Sequence, residues 1–176
     1  MNSFRKPKIG LAGVMCTPFR GDKESNYSQH LAALELLANR FDFDFYSVKK
    51  GVYSREQAET AARELNEWGA DFIILQSASF AGGDFIYPFA KLAAGLGVWA
   101  VPEGIPTSGG GLPLNSFTGA NLYNSILRTT IKNYNRPVKW FWGNPGQDLF
   151  DTRLLVTVQA LRALINLRGS RIGLIG

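Results

Sequence analysis

The stretch Lys8-Ile-Gly-Leu-Ala-Gly13 decides the fold, because a basic residue before a short apolar run with two glycines commonly begins an open α/β sheet. The pattern returns at the other end of the chain as Arg171-Ile-Gly-Leu-Ile-Gly176. We therefore predict that residues 1–170 form one α/β domain. Residues 171–176 are then the first strand of a following α/β domain, and the chain is truncated. The alternative is that they form the last strand of one complete sheet.

Strand and helix patterns alternate between these two segments. Apolar runs predict four strands, at 9–16, 71–77, 98–101 and 138–142, and we expect those at 9–16 and 98–101 to be buried. The strictly alternating residues 41–45 predict a fifth strand, at an edge or half exposed. Helical periodicity predicts helices over 27–41, 119–132 and 149–167. With short connections, this order predicts an α/β fold: a doubly wound, Rossmann-like or flavodoxin-like, mostly parallel five-stranded sheet with helices on both faces.

Two further helices are predicted from capping residues. Ser54 and Gln57 match the spacing of a capping box, and Gly69 is the predicted stop of the helix that they begin. Asp84 is the predicted N-cap of the next helix, which we expect to run to about Leu96.

Composition limits the classes of function. The chain has 176 residues, 45% hydrophobic and 19% charged, which indicates one soluble globular domain. Its net charge of +5 is spread singly or in pairs, whereas a nucleic-acid surface needs clustered basic residues, so we expect no nucleic-acid partner. The single cysteine, Cys16, excludes an internal disulfide. No segment approaches the roughly 20 apolar residues of a membrane span, and the cytoplasm is the expected compartment.

Parallel strands of such a sheet bind ligands at their carboxyl ends. That rule selects Cys16-Thr-Pro-Phe-Arg-Gly21, Gln76-Ser-Ala-Ser-Phe80, and Glu103 with the loop that follows it. These segments offer hydroxyls, amides, one guanidinium and one carboxylate, a mixture suited to a polyhydroxylated or anionic ligand. The predicted substrate-binding residues are Thr17, Arg20, Gln76, Ser77, Ser79, Phe80, Glu103, Asn115 and Ser116.

Several of these residues have a structural alternative. Arg20 could clamp an anionic group or be a solvated loop arginine. Glu103 could bind sugar hydroxyls, pair with Arg20 or cap a loop. Asn115 could contact a ligand or cap the following helix. Ser77 and Ser79 could be turn residues at the end of a strand.

No catalytic or metal-binding residue is predicted on this chain. His30 is the single histidine, and we expect it to pack or cap, with a ligand or base role as the alternative. The predicted rim holds no pair of carboxylates close enough for acid–base chemistry or for a metal. The glycines of the first strand do not match the dinucleotide fingerprint, and no P-loop is present.

Three regions together resemble one family. They are Pro7-Lys-Ile-Gly-Leu-Ala-Gly13 leading to Asp22-Lys-Glu-Ser25, the strand end Gln76-Ser-Ala-Ser-Phe80, and Val98-Trp-Ala-Val-Pro-Glu103 followed by Leu114-Asn-Ser-Phe-Thr-Gly119. Over almost the whole chain, this resembles the N-terminal domain of the L-fucose isomerase and L-arabinose isomerase superfamily.

The resemblance implies a metal-dependent aldose–ketose isomerase that works through an enediol intermediate. Its divalent metal, usually Mn²⁺, and its catalytic carboxylates would lie in later domains, so the isolated chain is expected to be inactive. The N-terminal domain of such an enzyme helps to form a homo-oligomer, a trimer or hexamer, and covers the active site of a neighbouring subunit. The predicted rim would then contact the far end of a sugar.

The chain also departs from the family pattern. L-fucose isomerases tend to have a basic residue after the first Ile-Gly pair and an aromatic at the centre of the strand-three loop, where this chain has Ala12 and Ser79-Phe80. L-fucose is therefore not the expected substrate, and Arg20 favours an anionic sugar, phosphorylated or sulfonated. The alternatives are a stand-alone sugar-binding or regulatory α/β domain without catalysis, and a flavodoxin-like cofactor binder.

Overall fold

The computed structural model describes residues 5–106, 110–132, 134–171 and 173. The predicted strand at 171–176 depends on residues that mostly lie outside this description. The described residues form five strands: β1 (Lys8–Val14), β2 (Asp44–Ser47), β3 (Phe72–Ser77), β4 (Gly95–Ala100) and β5 (Val138–Trp142). The helices are α1 (Lys23–Phe41), α2 (Arg55–Glu67), α3 (Ile86–Ala90), α4 (Ser116–Thr129) and α5 (Asp148–Gly169).

The strands form one parallel sheet in the order β2-β1-β3-β4-β5. This confirms the predicted doubly wound α/β fold. β2 lies at an edge, but it spans Asp44–Ser47 rather than the predicted 41–45, because Phe41 is the last residue of α1 and Asp42 its left-handed C-cap. From β1 the chain adds β2 on one side and β3, β4 and β5 on the other. This change of direction between β1 and β3 places a crevice at the carboxyl ends of the central strands.

Helices bury both faces of the sheet. On one face, α1 and α5 pack against an apolar layer that contains Leu11, Ile74 and Trp99. On the other face, α2, α3 and α4 pack against a layer that contains Ile73 and Val98. Burial on both faces explains why the central strands are apolar throughout.

The predicted capping of α2 by Ser54 is confirmed, while Gln57 bonds to the residue before the N-cap rather than to Ser54 itself, as a strict capping box would require. Ser54 Oγ accepts a hydrogen bond from the Gln57 backbone N–H at 3.2 Å, and Gln57 Oε1 accepts one from the Tyr53 backbone N–H. Gly69, the predicted stop, follows the helix with a φ of 81°.

The predicted helix from Asp84 to Leu96 is wrong. A short 3₁₀ turn, Gly83–Phe85, precedes α3, and neither carries a side-chain cap, so Asp84 is not the N-cap. The helix ends at Ala90, and Leu96 is a buried residue of β4. Pairing of β4 with β3 overrides the helical propensity of the Ala- and Leu-rich segment. A Cβ built on Gly97 would lie 2.7 Å from the Phe141 ring, so a glycine is needed there for the sheet to pack.

None of the described helices combines the length and the apolar composition needed to cross a bilayer.

Candidate functional site

The three predicted segments meet at the carboxyl edge of the sheet. The Phe80 backbone N–H donates to the Leu114 carbonyl at 2.8 Å, and the Gly21 N–H donates to the Pro113 carbonyl at 3.0 Å. The Cys16 N–H donates to Ser79 Oγ at 2.8 Å. The loops after β1, β3 and β4 therefore form one continuous rim.

The serines of this rim are fully buried and connect the loops. Ser116 Oγ accepts from the Val101 N–H at 2.8 Å and donates to the Ser77 carbonyl. Ser77 Oγ donates to the Ser79 carbonyl at 3.2 Å. These bonds satisfy buried backbone groups, so the serines hold the rim in shape. Their role as substrate contacts stays a prediction.

Glu103 fixes the loop between β4 and α4. Its two carboxylate oxygens accept from the backbone N–H groups of Leu114, at 2.9 Å, and Ser116, at 2.8 Å. Asn115 occupies the N-cap position of α4 with a φ of 52°, but its side chain makes no capping bond. The carboxylate of Glu103 therefore does the capping that we considered for Asn115.

Of the remaining predicted residues, Gln76 is fully buried and the other three lie toward solvent. Thr17 and Arg20 are exposed, and Phe80 is half-buried with its ring 5.9 Å from that of Phe19. In the part of the chain that the structure describes, Arg20 forms no ion pair with Glu103 or with any other carboxylate. The guanidinium of Arg20 is accordingly accessible to an anionic ligand.

A hydrogen-bonded chain of three side chains lies beside the rim, and sequence reasoning missed it as a unit. Gln76 Nε2 lies 2.9 Å from His30 Nδ1, and His30 Nε2 lies 3.2 Å from Asn144 Oδ1. An amide nitrogen donates and an amide oxygen accepts, so His30 accepts at Nδ1 and donates from Nε2. One neutral tautomer satisfies both bonds. The His30 ring packs on Trp99 with the ring centroids 4.8 Å apart.

His30, Glu103 and Asn144 line a common cleft of about 450 Å³, which we call the His30 cleft. It lies between α1 and the loops that follow β4 and β5. Its polar lining residues are Asn26, Gln29, His30, Glu103 and Asn144. Amide donors beside a carboxylate acceptor are suited to binding hydroxyl groups.

Burial lowers the pKa of His30 below its ordinary value of 6.5, and the hydrogen bond to Asn144 partly offsets the shift. Protonation of His30 at Nδ1 would also place an N–H donor against the NH₂ group of Gln76, which is itself a donor. His30 is therefore neutral near pH 7 and acts as a fixed hydrogen-bonding group rather than as a cation.

This histidine should make the stability of the fold pH-dependent. Because its folded pKa is lowered, the free energy of unfolding is highest above about pH 6.5 and falls as the pH drops toward the folded pKa. Urea denaturation measured between about pH 8 and pH 5 should show this decrease in the free energy of unfolding. His30→Gln should make the free energy of unfolding less dependent on pH over the same range. As the single histidine, its NMR signal reports the pKa directly. A folded pKa at or above the unfolded value would contradict the prediction.

A second cavity, of about 690 Å³, lies near the end of β2. Its lining includes the apolar residues Met15, Tyr27 and Val52, and the exposed Lys49 and Lys50. None of the predicted substrate-binding residues is among those that line it, whereas Glu103 lines the His30 cleft. We therefore take the His30 cleft and the adjoining rim as the candidate site.

The described residues do not fit a metal centre. No group of three His, Cys, Asp or Glu side chains within them is arranged to hold an ion. No chemical step on this chain is therefore assigned to a metal.

Comparison with known proteins relates the chain to enzymes that isomerise sugars. No family model matches it. The chain is similar to sulfoquinovose isomerases of Priestia aryabhattai and Priestia megaterium, each 32% identical over 133 residues. These matches cover 71% of this chain and 28% of each relative. The sulfoquinovose isomerase of Alkalicoccus urumqiensis is 33% identical over 107 residues, which cover 60% of this chain and 23% of that enzyme. The chain thus aligns with less than a third of each relative's length.

Proposed function

We propose that this chain is a substrate-contacting domain of an aldose–ketose isomerase that acts on a sulfonated sugar. The observation that carries the proposal is the similarity to sulfoquinovose isomerases over 71% of the chain. The polar His30 cleft and the accessible Arg20 agree with a ligand that has both hydroxyl groups and an anionic group. The proposal extends the resemblance to the N-terminal domain of the L-fucose and L-arabinose isomerase superfamily.

In this proposal the domain binds and orients the sugar and does not move its protons. The neutral His30, and Glu103 with its two accepted hydrogen bonds, are hydrogen-bonding groups with fixed positions. The metal, which we expect to be Mn²⁺, and the carboxylates that transfer the proton would lie outside this chain. When bound, such a metal polarises the oxygen atoms of the sugar.

We also propose that the enzyme is a cytoplasmic homo-oligomer, a trimer or hexamer. Two large apolar side chains beside the edge strand β5 support an interface: Phe117 is 50% exposed and Trp142 is 40% exposed. Their rings meet edge to face with centroids 5.6 Å apart. Exposed apolar clusters of this kind often mark protein–protein contacts.

The test compares the product of the complete gene with the 176-residue chain. The proposal expects the complete product, supplied with Mn²⁺, to convert sulfoquinovose to a ketose, and the 176-residue chain alone to convert none. Failure of the complete product to isomerise any sulfonated or neutral aldose would reject it. Turnover by the 176-residue chain alone would reject the assignment of catalysis to parts of the complete product outside this chain. Sugar binding without turnover by the complete product would instead favour a stand-alone sugar-binding domain.

Arg20 is the residue expected to recognise the anionic group. Removing a charge-assisted hydrogen bond costs about 1.5–3 kcal/mol, so Arg20→Ala should raise KM for sulfoquinovose about tenfold to a hundredfold. We expect kcat, and the KM of any neutral sugar that is turned over, to change little. Arg128→Ala, at an exposed arginine in the last turn of α4, is the matched control. Equal KM values for Arg20→Ala and Arg128→Ala would remove Arg20 from the site.

A further inference from the structure

Among the described residues that line the His30 cleft, one carries a negative charge and none carries a positive charge. Glu103 is that charged residue, and the neutral His30 adds no positive charge. A sulfonate or phosphate placed in this cleft would lie near a carboxylate, and like charges at close range repel. The cleft is therefore poorly suited to the anionic end of a sugar.

Asn144 supplies the donor side of the cleft. Its Oδ1 accepts from His30 Nε2, and the tautomer of His30 is fixed in turn by Gln76 Nε2. Gln76 is fully buried and reaches His30 through Nε2 from inside the fold, while its Oε1 has no hydrogen-bond partner among the described residues. With its oxygen engaged, Asn144 offers its amide NH₂ group, which can only donate hydrogen bonds.

Glu103 supplies the acceptor side. Each of its carboxylate oxygens accepts one backbone N–H, and each retains further acceptor capacity. A sugar hydroxyl both donates and accepts, so it can bond to a carboxylate and to an amide NH₂ group together. A sulfonate only accepts, and it cannot bond to Glu103.

From this arrangement we propose that the His30 cleft binds the uncharged, hydroxylated part of a sugar through Asn144 and Glu103, while the anionic group stays outside the cleft. His30 and Gln76 are positioning residues that fix the donor face of Asn144. The assignment deepens the proposed function, on which it rests, by giving the two ends of the substrate separate locations. Arg20, exposed on the loop after β1, is the candidate partner for the anionic end.

The test uses D-glucose as a neutral probe and methanesulfonate as an anionic probe. Both are titrated into the 176-residue chain while the NMR signals of the single histidine and of the Gly104 backbone amide are followed. D-glucose should shift both sets of signals saturably, and methanesulfonate should shift neither. Asn144→Asp replaces the donor by an acceptor of the same shape and should weaken glucose binding about tenfold or more. Nitrogen shifts of His30 should also show the tautomer protonated at Nε2.

The matched control is Asn39→Asp, which adds the same charge at an exposed position of α1 near the opposite edge of the sheet. It should bind glucose as the wild-type chain does. Saturable methanesulfonate shifts at His30, no glucose shift, or unchanged glucose affinity in Asn144→Asp would each overturn the assignment. A failure of the proposed function alone would give a different result from a failure of this assignment. Glucose would still bind at the His30 cleft, but the complete gene product would isomerise no sugar.

Discussion

Trp99→Ala is expected to destabilise the domain by about 3–5 kcal/mol, because a fully buried aromatic side chain is replaced by a cavity that the sheet cannot close. Trp99 lies on β4 beneath α5, with its ring centroid 4.7 Å from that of Phe150. Domains of this kind are stable by only about 5–15 kcal/mol, so much of the folded stability is at risk. Urea denaturation followed by circular dichroism measures the loss.

The same substitution should disturb the candidate site. Trp99 Nε1 donates to the Gly143 carbonyl at 2.9 Å, directly before Asn144, and the indole ring supports His30. Trp99→Phe separates the two contributions, since it keeps an aromatic ring in the core but removes the donor. It should cost less stability than Trp99→Ala, yet still loosen the loop that holds Asn144. A loss below about 1 kcal/mol for Trp99→Ala would contradict this account of the core.

The sheet could be predicted from the sequence because its signal is local. Each central strand is a short apolar run, and the order of strands and helices leaves few topologies. The failure after Asp84 has a physical cause as well. The segment around Leu92 has helical composition, but the space beneath Phe72 and Phe141 admits only a strand with glycines, Gly95 and Gly97. That constraint comes from residues far away in the chain.

The candidate site could be predicted only in part. The topology rule located the rim and Glu103, because it depends on strand ends alone. The pairing of His30 with Asn144 joins residues 114 positions apart, and no local pattern indicates it. One signal was available: His30 falls on the helical face that carries the buried Tyr27 and Leu34, three residues after one and four before the other. A histidine on a buried face needs polar partners.

Glu103→Gln, although close in shape, is expected to behave as a disruptive substitution. Both oxygens of Glu103 accept backbone N–H bonds, whereas an amide has one oxygen and would turn an NH₂ group toward the second N–H. Leaving a backbone donor unsatisfied costs about 1–3 kcal/mol. Loss of the negative charge at the start of α4 adds about 0.3–1 kcal/mol. Thermal and urea denaturation of the variant measure the sum.

Glu56→Gln separates the two costs. Glu56 is an exposed residue in the first turn of α2, so its substitution removes the same charge from a helix N-terminus without opening a loop. It should cost no more than about 1 kcal/mol. Equal losses for the two variants would mean that Glu103 acts only through its charge. A larger loss for Glu103→Gln, together with weaker glucose binding, would mean that one carboxylate both closes the loop before α4 and presents an acceptor to the His30 cleft. The shape of the cleft and its chemistry would then depend on the same two hydrogen bonds.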